Sequence, residues 1–146
     1  LRLITNKAFS KMKLHDQMVL TPHPGEAADM LKVSTQEIQK DRIESAKKLQ
    51  KKYNCIIVLK GQGTIICSKK EMYLCASGGP ELAVAGTGDI LSGVIGSLIA
   101  QGLAPLDAAI SGVGLHAQAG ENFATDVGRI GLAASELIPQ IRKLLN

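Results

Sequence analysis

The segment Gly86-Thr87-Gly88-Asp89 has the residue types of an anion-binding loop. Its two glycines allow the backbone to turn sharply and to aim successive N–H groups outward. The apolar periodicity that begins at Ile90 predicts a helix directly after the loop, which adds unpaired N-terminal donors and the positive end of its dipole. The segment therefore predicts a site for a phosphoryl group or another anion.

Asp89 is the candidate catalytic residue of this loop. An acid in the first turn of a helix can simply interact favourably with the helix dipole. Beside a glycine-built anion hole, however, a carboxylate would repel the ligand unless it had a chemical task. The task that fits is that of a general base, which takes the proton from a hydroxyl group that attacks phosphorus.

A second candidate segment, Lys60-Gly61-Gln62-Gly63-Thr64, follows a continuous apolar run at residues 55–59. Such a run is typical of a strand buried on both faces, and ligands of open α/β sheets gather beyond the carboxyl ends of such strands. The lysine can meet a phosphate, the glycines let a ligand approach the backbone, and the threonine offers a hydroxyl. An ordinary hairpin turn with a solvated lysine is an equally good interpretation of these residues alone.

A third segment, Thr21-Pro22-His23-Pro24-Gly25-Glu26, follows a strand candidate at residues 18–20. Its two prolines stop the strand and fix the backbone around His23, which lowers the entropy lost in presenting the ring to a ligand. A rigid turn is the alternative role for this histidine. Glu26 could hold a metal-bound water, or it could simply occupy the favourable first turn of the next helix.

The elements that must position these segments indicate the α/β class. Strands are predicted at residues 18–20, 55–59, 64–67 and 72–75. Helices are predicted at residues 26–31, over a longer stretch that begins at Ser34 or Thr35, from Ile90 to a stop at Gly102, at residues 107–124 and at residues 133–145. The longer stretch has an apolar side made of Ile38, Ile43, Ala46 and Leu49. His15 and His116 lie outside the candidate loops and are expected to be structural.

Composition excludes several classes of protein. With 146 residues, of which 45% are hydrophobic and 21% charged, the chain can bury a core and is not disordered. Its net charge of +4 comes mainly from one lysine-rich helical stretch, and two Tyr, two Phe and no Trp offer little for base stacking, so nucleic-acid binding is not expected. No apolar run is long enough to suggest a membrane span. Three cysteines without a CxxC pair, and no secretory leader, predict a cytoplasmic protein.

Three motifs in this order closely resemble the ADP/ATP-dependent NAD(P)H-hydrate dehydratase family. They are LTPHPGE at residues 20–26, VLKGQGT at 58–64 and GTGDILSG at 86–93, and residues 115–120 and 134–138 extend the resemblance over nearly the whole chain. The resemblance implies a ribokinase-like fold, with a layered sheet and flanking helices. It also implies a lyase that uses ADP or ATP with Mg²⁺ to phosphorylate the hydroxyl of hydrated NADH or NADPH (NADHX or NADPHX) and then eliminates phosphate.

The resemblance further implies roles for single residues. Asp89 matches the acid at the substrate hydroxyl, and His23 matches a contact to the hydrated dinucleotide. The residues that match the nucleotide-binding positions are Lys60, Gly61, Gln62, Gly63, Thr64, Gly86, Thr87 and Gly88. Family members usually carry a Thr-Gly-Asn-Pro-Gly-Met-Ala type of stretch before the last motif, whereas residues 76–83 here read Ala-Ser-Gly-Gly-Pro-Glu-Leu-Ala, with Glu81 in place of a small residue.

The resemblance also implies that residues 1–146 are the C-terminal portion of a single domain whose N-terminal half is absent from this chain. The expected partners are therefore that missing half or a second copy of the chain in a homo-oligomer. Two other functions stay open. One is a hydroxymethylpyrimidine or sugar kinase of the same fold, which would leave the phosphate on its product, and the other is a non-catalytic nucleotide-binding module. The His-Pro-Gly-Glu segment favours the dehydratase over the kinases.

Overall fold

The computed structural model describes residues 14–146, and the chain divides into two compact units, one up to Leu74 and one from Cys75 onward. The first 13 residues of the predicted domain lie outside the described part. In the described part of the chain, the first unit contains one strand, three helices and then three strands, and helices dominate the second unit. The α/β class predicted from the sequence is confirmed.

The first unit is built on a small mixed sheet. Its strands are β1 (Val19–Leu20), β2 (Ile56–Leu59), β3 (Thr64–Cys67) and β4 (Met72–Cys75), in the spatial order β1-β2-β3-β4. Strand β1 runs parallel to β2, and β3 runs antiparallel to β2. All four residues of β2 are buried, as the continuous apolar run predicted.

Three helices accompany this sheet: α1 (Pro24–Leu31), α2 (Thr35–Lys40) and α3 (Arg42–Tyr53). The single longer helix predicted from Ser34 is wrong, because the backbone leaves helical geometry at Asp41, with φ −146° and ψ 86°. The Asp41 carboxylate accepts the N–H of Glu44 at 2.9 Å and caps α3. As a result Ile43 is 52% exposed rather than part of the apolar side.

The second unit contains α4 (Thr87–Ala100), α5 (Pro105–Asp126) and α6 (Leu137–Leu144), with 3₁₀ turns at Pro80–Leu82 and Ala134–Glu136. Small residues allow α4 and α5 to pack closely, since a Cβ on Gly112 would lie 2.7 Å from Cγ1 of Ile95. The core of this unit is formed by Ala119, Phe123, Leu132, Leu137 and Ile141. Between residues 14 and 146, none of the helices is both long and apolar enough to cross a lipid bilayer.

Candidate functional site

Two of the three candidate segments meet at the carboxyl ends of β1 and β2, in the sheet of the first unit. The parallel register of β1 and β2 pairs Val19 with Ile56 and Leu20 with Ile57, so the carboxyl ends of both strands lie side by side. The N–H of Lys60, directly after β2, donates to the carbonyl of Pro22 at 2.8 Å. The segment around His23 and the loop of residues 60–64, called here the 60–64 loop, are therefore neighbours, because each follows one strand of the same parallel pair.

His23 holds the entry to α1. Its Nδ1 accepts the N–H of Gly25 at 3.1 Å and the N–H of Glu26 at 3.2 Å, so the ring proton belongs on Nε2. Nε2 lies 3.5 Å from Oε2 of Glu26, and the side chain of His23 is 57% exposed. His23 therefore does stabilise a rigid turn, and the exposed edge of its ring is still accessible to a ligand. Its contact with the hydrated dinucleotide stays a prediction.

Glu26 completes a capping box with His23. Its Oε2 accepts the N–H of His23 at 2.9 Å and lies 4.0 Å from Nζ of Lys60. Partial burial disfavours the charged carboxylate, but the His23 N–H and the charge of Lys60 outweigh that effect and lower the pKa of Glu26. An ionised Glu26 thus stabilises the first turn of α1 and joins it to the 60–64 loop.

The described residues offer no all-protein metal cage. Between residues 14 and 146 there is no group of three or more His, Cys, Asp and Glu side chains that could hold a metal ion. Mg²⁺ commonly keeps several waters and binds through one or two carboxylates together with substrate phosphates. The role of Glu26 as a metal ligand stays a prediction.

Replacing Glu26 by Gln distinguishes the two roles of this carboxylate. Because the folded-state pKa of Glu26 is lowered, the ionised group adds stability above the ordinary glutamate range, and that stability is lost as the pH falls through the folded value. The variant should therefore have a lower Tm at pH 7 and a flatter pH dependence of Tm in acid, measured by circular dichroism.

The matched control for this variant is Glu37→Gln. Glu37 forms the same capping box with Ser34 at the start of α2, and the Ser34 N–H holds the pKa of its carboxyl below the ordinary value. If Glu26 only caps α1, both variants shift the pH dependence of Tm. Neither variant then changes the Mg²⁺ concentration that the intact protein needs for half-maximal dehydratase activity. A raised Mg²⁺ requirement in Glu26→Gln alone would instead support a metal ligand.

The 60–64 loop has the backbone conformation that its glycines permit. Gly61 and Gly63 have φ values of +141° and +67°, which residues with a Cβ rarely adopt. The hydroxyl of Thr64 donates to the carbonyl of Gly61 at 3.2 Å. Arg42, at the start of α3, also contacts this loop, and its place in the sequence gives no sign of that contact. An isolated arginine about 20 positions before the loop carries no motif that could have revealed the contact.

In the second unit, Gly86 opens the loop of residues 86–89, called here the 86–89 loop. Its φ of +91° is in the left-handed region, and it precedes α4 with no side chain capping the helix. Within residues 14–146, the structure gives no hydrogen-bond acceptor for the amide N–H of Gly86 or Gly88. Together with the start of α4, these donors have the character predicted for an anion site.

Thr87 supports the loop from inside. Its side chain is buried, and its Oγ1 lies 2.8 Å from the carbonyl oxygens of both Leu82 and Val84. Nε2 of the buried His116 lies 2.9 Å from the carbonyl of Thr87. The structural role expected for His116 is thus to hold this loop. Nucleotide binding by Thr87 stays a prediction, and its hydroxyl is already engaged by the chain.

Asp89 is the third residue of α4 and is exposed. Its N–H donates to the carbonyl of Gly86 at 3.0 Å, which fixes the backbone at the start of the helix. Among residues 14–146, no hydrogen bond or ion pair engages its carboxylate. The side chain therefore has the accessibility that a general base requires.

Glu81, the acid that departs from the family pattern, lies buried in the second unit with an exposed fraction of 3%. Its Oε1 accepts the N–H of Gly79 at 2.8 Å, and the N–H of Gly78 donates to Oε1 of Glu121 at 2.9 Å. A Cβ on Gly79 would lie 2.5 Å from Oε2 of Glu81, so a side chain at this position would displace the carboxylate. The carboxylate of Glu81 is therefore directed at the backbone of its own loop.

The family model of NAD(P)H-hydrate dehydratases matches residues 1–143. The chain belongs to this family. Among the relatives of this chain, the bifunctional NAD(P)H-hydrate repair enzyme Nnr of Coxiella burnetii is 45% identical over 132 residues, which are 90% of the chain and 27% of that enzyme.

Solved structures agree with this assignment. An ADP/ATP-dependent NAD(P)H-hydrate dehydratase from Bacillus subtilis, co-crystallised with ATP and Mg²⁺, superposes with a TM-score of 0.83 at 34% identity. The match covers 87% of this chain and 46% of that one. A ribokinase-like superfamily protein from Enterococcus faecalis superposes with a TM-score of 0.82 at 24% identity, over 99% of this chain and 49% of that one. The fold of this chain is therefore ribokinase-like, and the chain spans about a quarter of the Coxiella enzyme and under half of the Bacillus one.

Proposed function

We propose that the protein containing this chain is an ADP- or ATP-dependent NAD(P)H-hydrate dehydratase. The observation that carries the proposal is the 86–89 loop, where an exposed carboxylate at Asp89 follows glycine N–H groups that have no acceptor within residues 14–146. In a chain of this family, that arrangement suits transfer of a phosphoryl group to a hydroxyl.

The nucleotide phosphates are the ligands proposed for the glycine-rich loops. In the first unit, the 60–64 loop offers a phosphate its backbone donors and the ammonium group of Lys60. In the second unit, the 86–89 loop offers a phosphate its glycine N–H groups and the start of α4. Both loops present glycines, so a phosphate can approach the main chain without meeting a Cβ. Mg²⁺, when bound with the nucleotide, neutralises phosphate charge that develops during transfer.

Asp89 is proposed to take the proton of the substrate hydroxyl. As the proton leaves, the hydroxyl oxygen of the hydrated nicotinamide ring attacks the terminal phosphorus of the nucleotide, and the bond from that phosphorus to the nucleotide's bridging oxygen breaks. The carbon–oxygen bond of the phosphorylated hydrate then breaks with phosphate as the leaving group, and loss of a ring proton restores NADH or NADPH. His23 is proposed to contact the dinucleotide through its exposed ring edge.

Further parts of the proposal concern the intact protein. We propose that this chain is part of one ribokinase-like domain, and that further strands come from the remainder of a longer chain or from a second copy. The partial coverage of its relatives supports that view. Localisation in the cytoplasm stays a prediction.

Titration calorimetry tests the nucleotide site in the intact protein. ADP and ATP should release or absorb measurable heat on binding in the presence of Mg²⁺. AMP, which lacks the terminal phosphates, should bind about tenfold more weakly or worse, because each charge-assisted phosphate contact contributes about 1.5–3 kcal/mol. The absence of binding heat with ADP and ATP would contradict the proposal. A product that keeps its phosphate, detected by mass spectrometry, would favour a kinase instead.

A further inference from the structure

Three carbonyl groups of the 60–64 loop, and the carbonyl of the residue before it, accept hydrogen bonds from side chains of the same unit. Nη2 of Arg42 donates to the carbonyl of Leu59 at 3.1 Å and to that of Lys60 at 3.3 Å, and Nη1 donates to the carbonyl of Gln62. The hydroxyl of Thr64 donates to the intervening carbonyl of Gly61. Four successive carbonyls therefore have donors, and Arg42 provides three of them.

The amide groups of the same loop are in a different situation. Within residues 14–146, the structure gives no acceptor for the N–H groups of Gly61, Gln62 and Gly63. In a planar trans peptide the C=O and the following N–H point in opposite directions. Holding the carbonyls of Lys60 and Gln62 therefore turns the N–H groups of Gly61 and Gly63 away from Arg42.

We propose that Arg42 is a positioning residue for the nucleotide site, which holds the loop carbonyls on one side so that the loop N–H groups face the phosphates on the other. This inference rests on the proposed function, since it assumes that the loop binds a nucleotide. It adds a residue outside the three motifs and assigns it a task that concerns the nucleotide rather than the hydrated dinucleotide.

The chemistry of arginine suits this task better than that of lysine. The guanidinium is a planar fork with five donors, whereas an ammonium is a point charge with three rotatable donors. Gly61 permits the close approach, because a Cβ at that position would lie 3.0 Å from Nη2 of Arg42. Partial burial lowers the pKa of Arg42, but the side chain stays charged and adds a positive potential beneath the loop.

The test compares Arg42→Ala and Arg42→Lys with the intact parent protein. Both variants should raise the KM for ADP on the order of tenfold, the loss expected for charge-assisted hydrogen bonds. The KM for the hydrated dinucleotide should stay within about twofold, because the substrate is not bound by this loop in the proposal. Arg42→Lys keeps the charge and most of the side chain, so it also serves if Arg42→Ala does not fold. Added guanidinium ion at millimolar concentration should partly restore the KM for ADP in Arg42→Ala.

Lys48→Ala is the matched control, because it removes one positive charge from an exposed position on the same helix. Its KM for ADP should equal that of the parent. If the parent binds ADP and both Arg42 variants keep the parental KM for ADP, the inference is wrong while the proposed function stands. Equal increases in both KM values, without guanidinium rescue, would show a merely structural arginine. If the parent itself does not bind ADP, both the proposed function and this inference fail.

Discussion

Replacing Asp89 by Asn is expected to lower the rate of NADHX dehydration by about 10²- to 10⁴-fold, the usual contribution of a positioned general base. Asparagine keeps the shape of the side chain and an acceptor oxygen, but it cannot take a proton from the substrate hydroxyl. The affinity for ADP should change by less than about threefold, since the phosphates are bound by other groups. The rate is measured by the return of the NADH absorbance band in the intact protein, and the affinity by calorimetry.

Asp107→Asn provides a closely matched control for this experiment. Asp107 is the third residue of α5, as Asp89 is the third residue of α4, and both are exposed acids in the first turn of a helix of the second unit. If both acids act only on the helix dipole, each variant should lose about 0.3–1 kcal/mol of stability and neither should lose activity. If Asp89→Asn dehydrates NADHX at the parental rate, Asp89 acts only on the helix dipole and is not a general base.

The loops of this site could be predicted because their signals are local. A continuous apolar run predicts β2, and glycines next to a lysine predict a sharp turn with an accessible backbone, which the positive φ values of Gly61 and Gly63 confirm. The sequence also indicated that the His23 segment and Lys60 each follow a strand candidate, and the parallel pairing of β1 with β2 brings the two together. Each of these steps needs only neighbouring residues or one topological rule.

The supporting contacts could not be predicted, because they join residues distant in sequence. Arg42 contacts the 60–64 loop from the first position of α3, directly after the break at Asp41, and the amphipathic pattern gave no sign of that break. The buried orientation of Thr87 was equally hidden, since a threonine in a glycine-rich loop suits a ligand contact as well as an internal one. Glu81 departs from the family pattern, and nothing in its sequence context shows that its carboxylate accepts the N–H of Gly79.

The 146-residue chain, expressed alone, is expected to associate rather than remain a monomer. Strand β1 lies at one edge of the sheet, and its pairing with β2 uses the carbonyl of Met18, which accepts the N–H of Ile56 at 2.9 Å. Neighbouring residues of a strand present their main-chain groups to opposite edges, so the N–H and C=O of Val19 face away from β2. Within residues 14–146 no other strand pairs there, and an open edge of this kind promotes pairing with another chain.

Val19→Pro tests whether this edge is the contact. Proline removes the outward N–H of residue 19 and is tolerated at a sheet edge, whereas Val19→Ala shortens the side chain and keeps the N–H. Light scattering should therefore give an assembly larger than 15.4 kDa for the parent and for Val19→Ala, and a smaller species for Val19→Pro. A parent chain that is a monomer of 15.4 kDa and unfolds cooperatively would show that the edge of β1 needs no partner. Association that persists unchanged in Val19→Pro would place the contact elsewhere on the chain, because the edge would then lack the donor that strand addition needs.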